Sequence, residues 1–508
     1  MAPTTESVGS VRGDDWHDYN FLTSFETGYR FVSVGGNIEK YRSDENYQDG
    51  VRLLSAFFSI NSRGGHGGLF DEIVFTGGGF GGDPYESATV RVQKNRSYEY
   101  DLLWRRNDYF NPGLTTDGGD GEHLLNTSYT LQDHNLTLFP QSHARFSLGY
   151  SRSTQGGAGI STMQLFDPGG PFDSSGDVFP LFENIKRVQN DYRLGGEIHW
   201  LGITLNVMHG WEDFKDDTPS QLRVFSPGDN PNNPTSLTSF SRSEPYHGTS
   251  PYWMATLFHN GKTWNINGRF TYTGGVRTFL SNEVALGTNQ LGAFGNQQIL
   301  TVGSARRPVA TGNLTVSAFP TSKLAIVNQT SFYNIRTDGD SAYLQFDNAT
   351  ESADLLYFQY LGIRTAANET DFKYQLRKWL ELHGGYEYSN RRIASSQQIA
   401  LSGTPAALPY FQTNELNSGN FGFRVTPIKG LSVMAEDEVG RATVPFTPKS
   451  DKNYNILIGS ISYRAHNLEL SATSRGDYNE NSVTVSSFSS HSRIYSGSAS
   501  WNQKSWFG

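Results

Sequence analysis

Cysteine is absent from the 508 residues of the sequence, and long apolar runs are absent as well. Without cysteine the chain forms no disulfide, offers no thiolate to a metal and attaches no haem through a C-x-x-C-H motif. The best apolar run, residues 53–60, has the length of a strand, whereas a membrane-spanning helix needs about 20 apolar residues. A helical membrane protein is therefore excluded.

Positive charge is also scarce, because 41 lysine and arginine residues stand against 50 aspartate and glutamate residues and give a net charge of -9. Nucleic-acid binding requires a basic field, so a nucleic-acid partner is not expected. The N-terminus has neither the basic nor the apolar segment of a signal peptide. We expect residues 1–20 to form a flexible N-terminal segment.

Aromatic residues and glycine are abundant, whereas aliphatic residues are few. Aromatics make up 13% of the chain and glycine accounts for 54 residues, while hydrophobic residues reach only 36%. This composition favours thin β-structure over a thick globular core.

From Trp264 to Tyr272 the side chains alternate between apolar and polar, residue by residue. A period of two is the period of a β-strand. The chain pivots just before this stretch, at His-Asn-Gly-Lys (259–262), so the stretch forms one arm of a hairpin. The same alternation recurs in four more segments: 192–200, 372–377, 382–388 and 421–426. The sequence therefore predicts repeated hairpins with one apolar and one polar face.

Seven short pivots punctuate the chain, near residues 142, 201, 261, 321, 379, 428 and 465. Between them lie long polar connections: 151–187, 214–250, 275–309, 336–353, 390–418 and 475–491. Short turns at one end of every hairpin and long loops at the other are typical of outer-membrane barrels, whose short turns are periplasmic and whose long loops are extracellular. The predicted strands, of about 10 to 13 residues, also exceed the five or six usual in globular sheets.

Tryptophans lie near the predicted strand ends, where interfacial rings sit in membrane barrels. The candidate membrane-interface aromatics are Trp200, Trp211, Trp253 and Trp264.

These observations predict an all-β protein of the bacterial outer membrane, with residues 21–508 forming a single large antiparallel transmembrane β-barrel. Five early strands, near 21–34, 50–62, 69–78, 85–95 and 97–110, bring the count to about 19 to 20. The final "WNQKSW" resembles the pivot "HNGKTW", so we expect a barrel cut short at its C-terminus, with about 20 to 26 strands when complete. A soluble β-sandwich array, a propeller and a β-solenoid are the alternatives.

The N-terminal third resembles the outer-membrane barrels of the MtrB/PioB type, which associate with decahaem cytochromes. The matching residues are Tyr41, Tyr47, Asp49, Gly50 and Val51, followed by Tyr98, Tyr100, Leu102 and Trp104. The rest of the chain resembles this family only in its hairpin rhythm. Some members carry a C-x-x-C motif near the mature N-terminus, which this chain lacks.

The resemblance implies a non-enzymatic sheath around a multihaem c-type cytochrome, through which electrons cross the outer membrane. The haem would then belong to the partner, and the chain would need no cofactor of its own.

The polar face of the strands is the candidate functional surface, because it would line the lumen of a barrel. Mixed charges there can tune solute selectivity or hold an inserted protein, although they can also simply solvate the wall. The candidate lumen-facing residues are Arg193, Glu197, His199, Asn265, Asn267, Arg269, Lys373, Gln375, Arg377, His383, Glu387 and Arg424.

Three other motifs favour plain turns over chemistry. "TDGGDGE" (116–122) has oxygen ligands that suit calcium but lacks the EF-hand spacing. "GGHGG" (64–68) has a single histidine, and "TGGGFGGDP" (76–84) lacks the lysine of a phosphate loop. No nucleophile, base and orienting group are paired by the sequence, so an outer-membrane hydrolase is a weak alternative.

Two functions follow. The first is the cytochrome sheath, and the second is a porin or substrate channel, which includes the barrel of a transporter whose plug lies outside this sequence. A soluble all-β secreted protein is a third possibility that would need no detergent.

Overall fold

The computed structural model describes residues 13–111, 124–231, 234–401, 406–407, 409–445, 447, 450–465, 467–481 and 487–501. These residues form one antiparallel sheet and one short helix. In this part of the chain no helix is long and apolar enough to cross a membrane.

The first part of the sheet is a simple succession of hairpins. Its elements are β1 (Asp14–Trp16), β2 (Tyr19–Arg30), α1 (Ile38–Asp44), β3 (Gly50–Ser62), β4 (Glu72–Gly78), β5 (Tyr85–Lys94), β6 (Tyr98–Asn111), β7 (Leu125–Leu138), β8 (Ala144–Phe166), β9 (Ser175–Trp200) and β10 (Ile203–Asp216).

The middle part contains shorter segments that extend or flank longer strands. They are β11 (Pro219–Gln221), β12 (Ser226–Pro227), β13 (Ser236–Ser243), β14 (Tyr246–Asn260), β15 (Trp264–Thr273), β16 (Val276–Thr288), β17 (Phe294–Arg306) and β18 (Val309–Thr321).

The last part returns to long hairpins. They are built from β19 (Leu324–Asp347), β20 (Thr350–Arg377), β21 (Leu380–Leu401), β22 (Ala406–Ala407), β23 (Tyr410–Val425), β24 (Leu431–Ala442), β25 (Asn453–Ala465), β26 (Leu468–Asn481) and β27 (Phe488–Trp501).

The 27 segments make 20 strands of one up-and-down wall. Three segments of two or three residues, β1, β12 and β22, each pair with one neighbour only and are not counted as strands of the wall. Four pairs of consecutive segments each form one interrupted strand: β10 with β11, β13 with β14, β15 with β16, and β17 with β18. This number agrees with the count of about 19 to 20 strands predicted from the sequence. No ladder among the described residues joins β27 to β1 or β2.

Breaks in the long strands fall at proline and glycine. Pro245 separates β13 from β14, Pro308 separates β17 from β18, and Gly274 and Gly275 separate β15 from β16. Proline has no N–H for the ladder, but its carbonyl still accepts: Leu280 N–H donates to Pro245 O at 3.3 Å and Arg336 N–H to Pro308 O at 3.1 Å. The sheet therefore bends at these points without losing its continuity.

All seven predicted pivots are turns between consecutive strands. The long connections differ from the prediction, because much of their length is strand. β8 and β9 run through most of 151–187, and β19 and β20, of 24 and 28 residues, run through 336–353. The hairpins thus project well beyond the length needed to cross a bilayer.

The N-terminal part of the wall begins earlier than predicted. β1 and the first two residues of β2 lie within the predicted flexible segment 1–20, of which residues 1–12 lie outside the described residues. Helix α1 was not predicted from the sequence. Asn37 caps it by accepting from the N–H groups of Glu39 and Lys40 at 2.8 and 3.0 Å.

Buried apolar side chains gather beyond the wall, on the polar face of the projecting strands. They are Met163, Leu165, Phe172, Phe179, Leu181, Leu237, Phe240 and Ala285. Asp177 lies beside them, fully buried, and accepts from Ser174 Oγ and from the backbone N–H of Asn230 and Thr235. We call this cluster, with the loop 167–174 that folds over it, the outer cap.

Candidate functional site: the polar face of the wall

Strand register assigns every wall residue to one of two faces. Along one row Leu205 pairs with Leu257, Leu257 with Gly268, and Gly268 with Leu314. The neighbouring row carries Phe270 and Phe332, and most of these large apolar side chains are exposed. No second layer of described residues packs on this apolar face, so the described part of the chain is not a sandwich.

Aromatic rings mark two heights on the apolar face. Trp200 and Trp264 lie beside the short turns, whereas Trp211 and Trp253 lie near the opposite edge, with His209 stacked on Trp253 at 4.1 Å. Tyr192 continues the second group, 5.8 Å from Trp211. Eight residues separate Tyr192 from Trp200 in β9, about 26 Å along the strand and roughly 20 Å in height at a usual tilt. This spacing matches the apolar band of an outer-membrane barrel, about 25 Å tall.

Long up-and-down strands, an exposed apolar face and two aromatic levels define the class of this protein. It is a large antiparallel β-barrel protein of the bacterial outer membrane.

The structure brings eleven of the twelve candidate lumen-facing residues to the face opposite the leucines. They are Arg193, Glu197, His199, Asn265, Asn267, Arg269, Lys373, Gln375, His383, Glu387 and Arg424. The twelfth, Arg377, differs because a register shift after Gln375 pairs it with Leu380, a residue of the apolar face. That this polar face lines a lumen stays a prediction.

Arg193 is the centre of the best-connected group on the polar face. Its Nη2 donates to Asp133 Oδ1 at 2.6 Å, and Nη1 lies 3.4 Å from Asp191 Oδ2. The Tyr252 hydroxyl donates to Asp191 Oδ1 at 2.8 Å. Ser151 also donates to Asp133. The group therefore satisfies two carboxylates with one guanidinium and two hydroxyls.

Glycines allow these contacts to skip a strand. Arg193 crosses Gly149 to reach Asp133, and Tyr252 crosses Gly210 to reach Asp191. A Cβ at either glycine would collide with the side chain that lies across it. Glycine here gives side chains the room to lie along the wall.

A second group lies near the short turns and includes two predicted residues. Arg145 donates to Glu197, and His199 Nε2 contacts both Arg145, at 3.0 Å, and Glu197. On the other side of its ring, His199 Nδ1 lies 2.9 Å from Thr204 Oγ1. Glu197 and His199 are thus brought together by an arginine from the neighbouring strand.

Carboxylates dominate the polar face between β20 and β24. Glu369 and Glu387 are direct cross-strand partners, and Asp371, Glu436 and Glu438 lie on the same face. His383 contacts Glu436 at 3.2 Å, across Gly422. We call the five carboxylates the acidic stretch.

The remaining predicted residues are more scattered. Lys373 pairs with Glu381 at 3.0 Å, and Asn265 accepts from the Gly261 N–H at 3.0 Å. Gln375 donates to the Arg377 carbonyl at 2.6 Å, beside the turn. These three residues brace turn ends and belong to neither charged group.

A niche of about 470 Å³ opens beside the Arg193 group. It is lined by Tyr129, Leu131, Ser151, Ser153, Gln189, Asp191, Glu212 and Tyr252. Its walls combine hydroxyls, carboxylates and an amide, so it suits a polar solute that donates hydrogen bonds.

Sequence reasoning missed most of the partners: Asp133, Arg145, Asp191, Tyr252, Glu369, Asp371, Glu436 and Glu438. Alternation could have found them, because β7 repeats a polar side chain at Asp133, Asn135 and Thr137.

The other motifs behave as turns where they are described. His66 lies in the turn between β3 and β4, and residues 76–84 form a strand end and a turn. The predicted calcium loop 116–122 lies outside the described residues. Elsewhere, across the residues the structure describes, no group of three metal-ligating side chains could hold a metal ion.

No protein-family model matches the sequence, and no curated protein is similar to it. Several solved structures are distantly similar to this chain. The ferric yersiniabactin uptake receptor FyuA from Yersinia pestis is 9% identical, with a TM-score of 0.36, covering 89% of this chain and 78% of its own. The siderophore receptor PiuA from Acinetobacter baumannii is 8% identical, with a TM-score of 0.33 and coverages of 88% and 85%. A Pseudomonas aeruginosa FadL homologue is 10% identical, with a TM-score of 0.26 and coverages of 70% and 89%.

Proposed function

We propose that the protein is a non-enzymatic channel that passes polar solutes across the outer membrane. The observation that carries the proposal is the contrast between the two faces of one wall. One face exposes leucine and aromatic side chains, and the other bears hydrogen-bonded charges from β5 to β26. So many charged side chains on one face need contact with water or with a polar partner, because lipid hydrocarbon cannot solvate them. In this proposal the polar face therefore lines the lumen.

The acidic stretch gives the channel a preference for cations. Its five carboxylates face the same space, and His383 is the only basic side chain described in contact with any of them. A row of carboxylates attracts cations and repels anions where water is confined. The solute class that fits both this stretch and the niche beside Arg193 is a small cationic or hydrogen-bond-donating molecule.

Conductance in a planar bilayer tests the channel. Purified protein should conduct ions, and a KCl gradient should give a reversal potential on the cation-selective side. The double variant Glu369→Gln/Glu387→Gln should move that potential toward zero, whereas Asp44→Asn in the exposed helix α1 should leave it unchanged. A protein that inserts but does not conduct would contradict the proposal.

A second candidate is the sheath around a multihaem c-type cytochrome. Two observations favour it: the resemblance of the N-terminal third to barrels of the MtrB/PioB type, and a wall of 20 strands whose described residues include no plug domain. Barrels of this size have room for an inserted domain. The polar face would then contact the cytochrome, and the haem would belong to that partner.

The visible absorption spectrum of the tagged protein, purified in mild detergent from its native membrane, separates the two candidates. A Soret band that co-elutes in constant ratio supports the sheath, since a chain without cysteine attaches no c-type haem. A colourless protein that conducts supports the channel and excludes the sheath.

A further inference from the structure

Three arginines lie together on the apolar face, toward the long-loop end of the wall. Arg364 in β20 and Arg392 in β21 are direct cross-strand partners, and Arg336 in β19 is one row further along. All three are exposed. We call them the outer arginine cluster.

The cluster lies just beyond the apolar band. Tyr386 and Tyr388 are exposed on the same face of β21. They lie about as far from the short turn at the start of β21 as Tyr192 and Trp211 lie from the short turn between β9 and β10, so they belong to the same aromatic level. Arg392 follows Tyr388 by four residues, about 13 Å along the strand and roughly 10 Å in height at a usual tilt. That height is where lipid headgroups lie, outside the hydrocarbon.

The protein itself does not neutralise the cluster. Arg364 and Arg392 form no hydrogen bond or ion pair with any residue in the described ranges, and Arg336 Nε lies 3.4 Å from Asp338, a carboxylate that Arg306 also contacts. Like charges placed directly opposite in a sheet are destabilising. An external anion would remove this cost.

The arginines border a shallow groove of about 480 Å³. Apart from Asn334, its other side chains are apolar or aromatic and include Tyr272, Tyr360, Pro308 and Ala310. The arginines can bind anionic oxygens, and the apolar and aromatic side chains beside them can contact a hydrocarbon chain. A free anion would contact only the arginines.

We propose that the outer arginine cluster binds the phosphate groups of an outer-leaflet glycolipid, whose acyl chains extend from the groove into the apolar band. Guanidinium groups bind phosphate oxygens in pairs and keep their charge at every physiological pH. The cluster faces the lipid, at headgroup height, with complementary charge, so the membrane supplies the ligand. This site is independent of what the lumen carries.

Native mass spectrometry of the detergent-purified full chain tests the proposal. Bisphosphorylated lipid A should bind, and Arg364→Gln/Arg392→Gln should weaken that binding at least tenfold. Arg391→Gln is the matched control, because Arg391 is the next residue of the same strand and lies on the opposite face. Its variant should bind as the wild type does.

Three results would overturn the proposal. Dephosphorylated lipid A could bind as tightly as the bisphosphorylated form, which would leave only the apolar groove. Inorganic phosphate alone could compete fully at micromolar concentration, which would identify a free-anion site. The double variant could retain wild-type affinity while folding normally, as judged by its heat-dependent gel mobility.

Discussion

At the scale of single residues, a buried arginine holds the first hairpins together. Arg52 is only 2% exposed, and its Nε donates to Asp83 Oδ1 at 2.8 Å. Its other nitrogens donate to the carbonyls of Gln48 and Gly81. Arg30 contacts the second oxygen of Asp83 at 2.9 Å. One guanidinium thus joins two loops at the outer end of the wall.

Replacing Asp83 with alanine should destabilise this end of the wall strongly. A buried arginine left without its carboxylate typically costs about 3–5 kcal/mol. Urea unfolding in lipid vesicles measures the loss. As a control, Asp44→Ala removes an exposed partner of Lys40 and should change nothing measurable. Equal effects of the two variants would contradict the role of Arg52.

Asp167 in the outer cap should make the cap sensitive to pH. Burial raises the pKa of its carboxyl above the ordinary 3.8, and the nearby carboxylates of Asp347 and Asp173 raise it further. Since the folded-state pKa is the higher one, the cap gains stability at low pH and loses it as pH rises through that value.

Hydrogen exchange of residues 163–181 at several pH values measures this effect. Exchange should be slower in mild acid than at neutral pH, after correction for the intrinsic rate. Asp167→Asn removes the titrating carboxyl but keeps one oxygen to accept from the Phe172 N–H, and it should abolish the difference. A difference that persists in the variant would assign the pH dependence to another group.

At the scale of elements, the turns could be predicted but the strand ends could not. The pivot near 261 was recognisable because alternation stops on both sides of it. By contrast, the glycine-rich stretch 156–159 belongs to β8, where a neighbouring strand supplies partners for its backbone. Glycine, serine and asparagine indicate a loop locally, but pairing with a neighbouring strand overrides that preference. Helix α1 was missed because one Asn37 cap is a weak signal.

Phe172 fixes the loop of the outer cap, so Phe172→Ala should release it. The ring is fully buried and packs against Gly295, where a Cβ would collide with it. Removing a buried phenylalanine typically costs about 3–5 kcal/mol. Hydrogen exchange should then rise at residues 163–181 and stay unchanged in β14 and β15. Phe166→Ala, in the same hairpin but 70% exposed, should have little effect. Rapid exchange throughout the wall would show that the cap is not an independent unit.

At the scale of the whole molecule, alternation and turn asymmetry were enough to predict one large antiparallel barrel. They also placed eleven of twelve candidate residues on one face, because alternation along a single strand assigns each residue to a face even when the adjacent strands are not known. The partners on that face could not be predicted. Arg193 reaches Asp133 across a strand only because Gly149 lies between them, and this depends on register.

The most direct test of the central claim is the labelling of single cysteines on adjacent residues of β14 in intact membranes. Thr256 lies on the polar face and Leu257 on the apolar face, and the wild-type chain has no cysteine to interfere. A membrane-impermeant thiosulfonate should label Thr256→Cys and leave Leu257→Cys unmodified until the protein is denatured. Equal labelling of both variants in the membrane would contradict a wall with water on one face and lipid on the other.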